Sequence, residues 1–131
     1  MSTNAAMTAG DLADLFNDLS QAIDDFRLSD AVQDGADPST LARLKDEAQA
    51  LENRAHQFIT QDMTSTLARI QPDLQRIVAA TDRVKRQTGV LNSVTKAIDI
   101  ATAGVALGAA IATGNLASIG ATTQAFVSSI G

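Results

Sequence analysis

The chain has 131 residues, 45 % of them hydrophobic, and a formal net charge of −5 at pH 7, which is enough apolar sequence for one domain with its own core. It contains no cysteine, which excludes disulfides, thiol catalysis and cysteine-ligated metals. Its one dense basic run is Arg83, Lys85 and Arg86, and it has no Tyr or Trp to stack on bases, so nucleic acid is excluded as an expected partner.

Charge is distributed unevenly along the chain. Residues 1–37 carry eight aspartates against Arg27 alone, a net charge of −7, and the last 32 residues carry no charge at all. Such a change of composition along the chain indicates that its first, middle and last parts are suited to different environments. We predict a single all-helical domain over residues 1–131 with three parts: an acidic amphipathic helix over residues 1–30, long mixed-charge helices over 38–99, and an uncharged apolar tail over 100–131.

The first predicted helix has one apolar face and one acidic face. Its apolar residues recur at helical spacing, with aspartates on the other side. Thr8, three residues before Asp11, is a capping signal at its start. Asp34-Gly35 is a turn sequence, and Asp37 before Pro38 predicts the start of the next helix. The apolar face consists of Leu12, Leu15, Phe16, Leu19, Ile23 and Phe26.

The second predicted helix follows Pro38 and is rich in strong helix formers. Its apolar positions step three and four residues at a time from Leu41 to Phe58. The register then shifts, and Pro72 cannot donate a hydrogen bond to the carbonyl of Ala68. We therefore expect either a helix break near residues 64–66 or a kink just before Pro72.

A second row of mostly apolar or threonine positions, which we call the second seam, runs from Leu67 to Ala112, again in alternating steps of three and four. It predicts one long coiled-coil-like helix. Gly114-Asn115 is a helix stop, and Leu116 to Ile130 predicts a short final helix. The expected fold is an all-α extended hairpin or bundle of about four helices. It combines the long helix, with its proline kink, and an Ala/Gly-rich apolar C-terminal hairpin.

The tail contains the stripe Gly104-x-x-x-Gly108-x-x-x-Ala112. Glycine costs a helix about 1 kcal/mol relative to alanine, so the spacing indicates close contact with another helix, in water or in lipid. The uncharged stretch from Ile100 through Leu116 spans about 25 Å as a helix, against a hydrocarbon core of about 30 Å. A soluble core or self-association seam, conditional membrane insertion and a permanent span all stay open. The candidate self-association or membrane segment is Gly104, Val105, Gly108, Ala112, Leu116, Ile119 and Phe126.

Basic residues precede the tail, where they would meet anionic lipid headgroups. The alternative is an ordinary solvated face whose charges pair with nearby aspartates. No catalytic, cofactor-binding or metal-ligating constellation is evident, so the sequence predicts a protein that is not an enzyme and needs no cofactor. The candidate headgroup contacts are Arg83, Lys85, Arg86 and Lys96.

Residues 97–130 resemble the alanine- and glycine-rich hydrophobic segments of helical pore-forming toxins and of type III secretion translocator proteins. The resemblance rests on composition and on the small-residue stripe, and it implies membrane action without transferring any functional residue. We predict a homo-oligomer that contacts or inserts into membranes, with the acidic first helix covering the tail in the water-soluble form. The alternative is a soluble helical adaptor, chaperone or immunity-type module that binds a protein partner and keeps the tail as a core helix.

The N-terminus has neither the basic region nor the apolar region of a cleaved secretory signal. The expected location is therefore the cytoplasm, or outside the cell after export without a cleaved signal. Association with a membrane is compatible with both.

Overall fold

The computed structural model describes residues 7–86 and 89–131, and this part of the chain forms seven α-helices and no β-strand. The predicted all-helical class is confirmed. Residues 1–6 of the predicted first helix and Thr88 of the second seam lie outside the described residues. The helices are α1 (Ala9–Arg27), α2 (Asp30–Gly35), α3 (Pro38–Thr60), α4 (Thr64–Arg69), α5 (Gln71–Arg86), α6 (Val94–Thr113) and α7 (Leu116–Ile130).

The five longer helices form a closed ring around one core. Around this ring, α1 packs on α3, α3 on α6, α6 on α7, α7 on α5 and α5 on α1, while α6 also reaches across to α1. Two contacts along each pair of helices give their directions. α3 and α6 are parallel, as are α5 and α7 and also α1 and α5. α6 runs antiparallel to α1, since Gly104 lies by Leu19 and Gly108 by Phe16, so α3 and α6 run antiparallel to α1, α5 and α7. The extended hairpin of about four helices is not confirmed, because the apolar faces close on one another in a ring.

The starts of α1 and α3 agree with the helix starts predicted from the sequence. The Thr8 hydroxyl accepts a hydrogen bond from the Asp11 amide, and the Asp11 carboxylate accepts one from the Thr8 amide, which completes a capping box. α3 begins at Pro38 with Asp37 in the N-cap position. The Asp37 carboxylate makes no capping bond to a helix amide and instead accepts a hydrogen bond from the Ser39 hydroxyl.

The helical structure is interrupted twice between α3 and α5: at residues 61–63, just before the predicted break near 64–66, and at Ile70, just before Pro72. α3 ends at Thr60 and α4 begins at Thr64, where the Thr64 amide donates to Asp62 and lowers the pKa of that carboxyl. α4 ends at Arg69, and Pro72 is the second residue of α5. In the first turn of a helix a proline sacrifices no intrahelical hydrogen bond, so a new helix replaces the expected kink.

The predicted long helix is interrupted between α5 and α6. Gly89 has φ +92°, which favours glycine, and residues 89–93 are not helical. The seam holds from Leu67 to Val84, where its six positions are buried. In α6 it fails, since Thr95 and Thr102 are exposed. Because α5 and α6 are separate helices, α6 need not continue the helical register of α5. The face that α6 buries therefore differs from the predicted seam and includes Ala97, Ile100, Ala101, Gly104, Leu107, Gly108 and Ile111.

One buried hydroxyl on α7 costs stability. Thr123 is fully buried, and its Oγ1 atom has no hydrogen-bond partner among the described residues. A buried hydroxyl without a partner loses its hydration without compensation. We expect Thr123→Val to raise the free energy of unfolding by about 1 kcal/mol in urea denaturation. Thr102→Val, at an exposed threonine that donates to Glu47, is the control and should give no gain.

Candidate functional site

The outward-facing positions of α1, α3 and α5 carry the charges of a normal solvated surface. The exposed residues of α1 include four aspartates, those of α3 have both signs, and those of α5 are basic. Such charged outer faces keep helices soluble and apart. These residues are Asp11, Asp14, Asp18 and Asp25 on α1; Arg43, Lys45, Asp46 and Glu52 on α3; and Arg76, Lys85 and Arg86 on α5.

The α6–α7 hairpin differs, because beyond Ile100 its exposed side is as uncharged as its buried side. Its two antiparallel helices are neighbours joined by Gly114-Asn115, so their exposed positions form one surface, which we call the neutral face. Gly114 closes α6 in the left-handed conformation, which agrees with the predicted stop. The Asn115 side chain then caps α7. The neutral face consists of Thr102, Ala106, Thr113, Leu116, Ala117, Ser118, Ala121, Gln124, Ala125 and Ser128.

The two glycines of the small-residue stripe, Gly104 and Gly108, face the inside of the bundle. A Cβ atom added to Gly104 would lie 2.8 Å from Leu51 Cδ2 and 3.3 Å from Leu19 Cδ2. At Gly108 it would lie 3.0 Å from Phe16 Cε2 and 2.9 Å from Arg54 Cγ. The close approach predicted for this stripe is therefore present within one chain, where α1 and α3 supply the partner side chains.

The structure divides the predicted segment between two sides of the hairpin. Gly104, Gly108, Ile119 and Phe126 are buried in the core, while Val105 and Ala112 are half-buried. Leu116 is 45 % exposed and is the one predicted residue that belongs to the neutral face.

Sequence reasoning missed the outward alanines of α7. Ala117, Ala121 and Ala125 are spaced by four residues and all are exposed. Gly120, between them, has open space where its Cβ would be, so no contact with residues 7–86 or 89–131 requires a glycine there. The spacing was visible in the sequence, but the face with Ile119, Thr123 and Phe126 gave the stronger periodic signal.

The four predicted headgroup contacts have different partners within the chain. Arg83 donates to the backbone carbonyl of Gly131, and Lys96 also lies near that glycine. Lys85 instead forms a 2.9 Å ion pair with Asp18 on α1. Arg86 is the last residue of α5. Cations at a helix C-terminus interact favourably with the helix dipole, which accounts for Arg83 and Lys96 without a lipid.

Among the described helices, α6 alone is long and apolar enough to cross a membrane. Residues 94–113 contain an 18-residue window of mean hydropathy 1.5, of which 44 % is buried inside the bundle. Core helices of soluble proteins meet the same criterion. The observation is compatible with each of the three interpretations of the tail that the sequence left open.

Within residues 7–86 and 89–131, no three His, Asp or Glu side chains are grouped closely enough to hold a metal ion. A surface cavity of about 400 Å³ lies between α2 and the start of α6. Apolar and small polar side chains line it, including Phe26, Val32 and Val94, and Asp37 is the one ionisable residue among them. The expectation that the protein is not an enzyme stays a prediction.

No known protein family, curated protein or solved structure matches this chain. The fold defines its class as an all-α bundle whose C-terminal hairpin is uncharged beyond Ile100. The functional argument therefore rests on the chemistry of its surfaces, of which the neutral face departs furthest from an ordinary solvated helix surface.

Proposed function

We propose that this protein is a non-enzymatic helical binding module that docks a protein partner on its neutral face. The proposal rests on one observation. The exposed sides of α6 and α7 carry no charge beyond Ile100, whereas the exposed sides of the other three long helices are charged. The burial of α6 accounts for its apolar inner face but leaves the outer one unexplained. Exposed apolar patches are typical of interaction sites, and Leu116 and four alanines supply half of the ten residues of this face.

The side chains of the neutral face favour a protein partner over a lipid surface. Peripheral membrane helices present Trp, Phe or Leu to the acyl chains, but here Leu116 is the only large apolar side chain. Alanine offers little area to lipid, whereas it lets the backbones of two packed helices come close. The proposed partner therefore presents a helix to the neutral face.

Ala121→Glu tests this proposal, because it places a carboxylate at the centre of the neutral face. Ala42→Glu adds the same charge at an exposed position of α3 and is the matched control. We expect chemical cross-linking in the native cells, quantified by mass spectrometry, to give a partner with the native chain and with Ala42→Glu. With Ala121→Glu its yield should fall by about tenfold or more. Equal yields from all three proteins would contradict the proposal.

A second candidate function is conditional membrane insertion, and it is favoured by the position of α1. Leu19 and Phe16 of this acidic helix lie against Gly104 and Gly108 of the apolar helix, so α1 covers part of α6. Insertion would require α1 and α3 to leave α6, because both pack against it.

Flotation with anionic vesicles tests this second function. Leu19→Ala loosens α1 where it covers Gly104, and Leu28→Ala, at a residue that is 58 % exposed, is the control. If insertion occurs, Leu19→Ala should float more than the native chain and Leu28→Ala should not, and the binding should survive high salt, since buried apolar contacts are not screened. Binding that high salt abolishes, or the absence of flotation in all three proteins, would contradict insertion.

A further inference from the structure

We infer that the partner on the neutral face is a second copy of this chain, bound as a weak symmetric dimer. The inference rests on the proposed function and names its partner. A symmetric dimer brings the same surface from both chains together, so that surface must be compatible with itself. The neutral face meets this requirement, because no exposed residue of the hairpin beyond Ile100 would meet a like charge on the other copy.

The distribution of charge also favours contact through the neutral face. The acidic residues are concentrated in residues 1–37, so the acidic surfaces of two copies would repel each other if they met. α7 packs on α6 and α5, whereas α1 packs mainly on α3, so the neutral face and the acidic outer face of α1 belong to different parts of the ring. Contact through the neutral face leaves the acidic surface of both copies in solvent.

Each border of the neutral face carries charged residues, and the exposed Arg76 on one side has the opposite sign to Glu47 on the other. On the α5 side, Arg76 donates to Gln124 at 2.8 Å, lies 4.0 Å from Asp73 on its own helix and remains 44 % exposed. On the α3 side, Glu47 accepts a 3.0 Å hydrogen bond from Thr102, and Arg54, further along, is half-buried and bonds to Gln57. A two-fold axis parallel to the helices places the Arg76 border of one copy beside the Glu47 border of the other.

The size of the face sets the expected strength. α7 has 15 residues, a length of about 22 Å, and two packed helices present a strip about 20 Å wide. The two copies together would bury on the order of 1,000 Å², which is the lower end for specific protein interfaces. The dimer should therefore dissociate on dilution, in the micromolar range or above.

Sedimentation velocity of the full chain at rising concentration tests the inference. We expect the native chain to pass from monomer to dimer between about 10 µM and about 1 mM. Ala121→Glu should weaken the dimer by about 100-fold or more, since each dimer would bury two new carboxylates. Ala42→Glu should dimerise like the native chain.

Two results would overturn the inference. A native chain that stays monomeric over the whole range excludes the second copy, while cross-linking in native cells still decides whether another protein occupies the neutral face. A dimer that Ala121→Glu leaves unchanged places the contact elsewhere. If that variant has also lost no partner in cells, the proposed function fails as well.

Discussion

Replacing Gly108 by valine is expected to lower the free energy of unfolding by about 3 kcal/mol. A Cβ at this position would lie 3.0 Å from both Arg54 Cβ and Phe16 Cε2. Arg54 Cβ is fixed by the backbone of α3, so the helices themselves must separate to admit a side chain. Urea denaturation followed by circular dichroism measures the loss.

Gly120→Ala is the control for this experiment. Its position is also inside a helix, but the added Cβ would meet nothing within 4 Å. The variant should therefore gain about 0.5–1 kcal/mol from the higher helix propensity of alanine. A Gly108→Val protein as stable as the native chain would show that the tail glycines are not needed for packing within one molecule.

Leu107→Ala is the second change with a large expected effect. Leu107 is fully buried at the centre of α6, and its truncation leaves a cavity in the core. The expected loss is about 3 kcal/mol, a large share of the 5–15 kcal/mol that stabilises a typical domain. Leu116→Ala is the same substitution at a residue that is 45 % exposed, and it should cost less than about 1 kcal/mol. Similar losses in both would contradict a tail that is part of the core.

The burial of α6 and α7 also determines how membrane binding should be tested. A chain truncated before Ile100 would lose Leu107, Ile111, Phe126 and the rest of two core helices. The shortened protein should not fold, and an unfolded chain binds lipid for unrelated reasons. Point substitutions on the neutral face and on α1 avoid this difficulty.

Several helix boundaries could be predicted, because they depend on local chemistry, but the short helices α2 and α4 and the break between α5 and α6 were not predicted. The capping box at Thr8, the start at Pro38 and the stop at Gly114 are each specified by a few adjacent residues. The seam from Leu67 to Val84 also agrees with the structure. Large aliphatic side chains dominate there, so periodicity identifies the buried face.

The buried face of α6 could not be predicted in the same way. Alanine, threonine and glycine surround this helix, so several faces are similarly apolar. The choice depends on where Ile100, Leu107 and Ile111 find partners on three neighbouring helices. The neutral face was missed for the same reason, because its existence depends on which side of each helix points outwards.

Thiol modification of single-cysteine variants tests the neutral face most directly, because the native chain has no cysteine. Ala121→Cys reports on the neutral face, and Ala42→Cys reports on the charged outer face of α3. In dilute solution both thiols should react at similar rates, since both residues are exposed. At high protein concentration Ala121→Cys should become protected while Ala42→Cys stays reactive. Equal reactivity of the two thiols at every concentration would contradict a neutral face covered by a second copy.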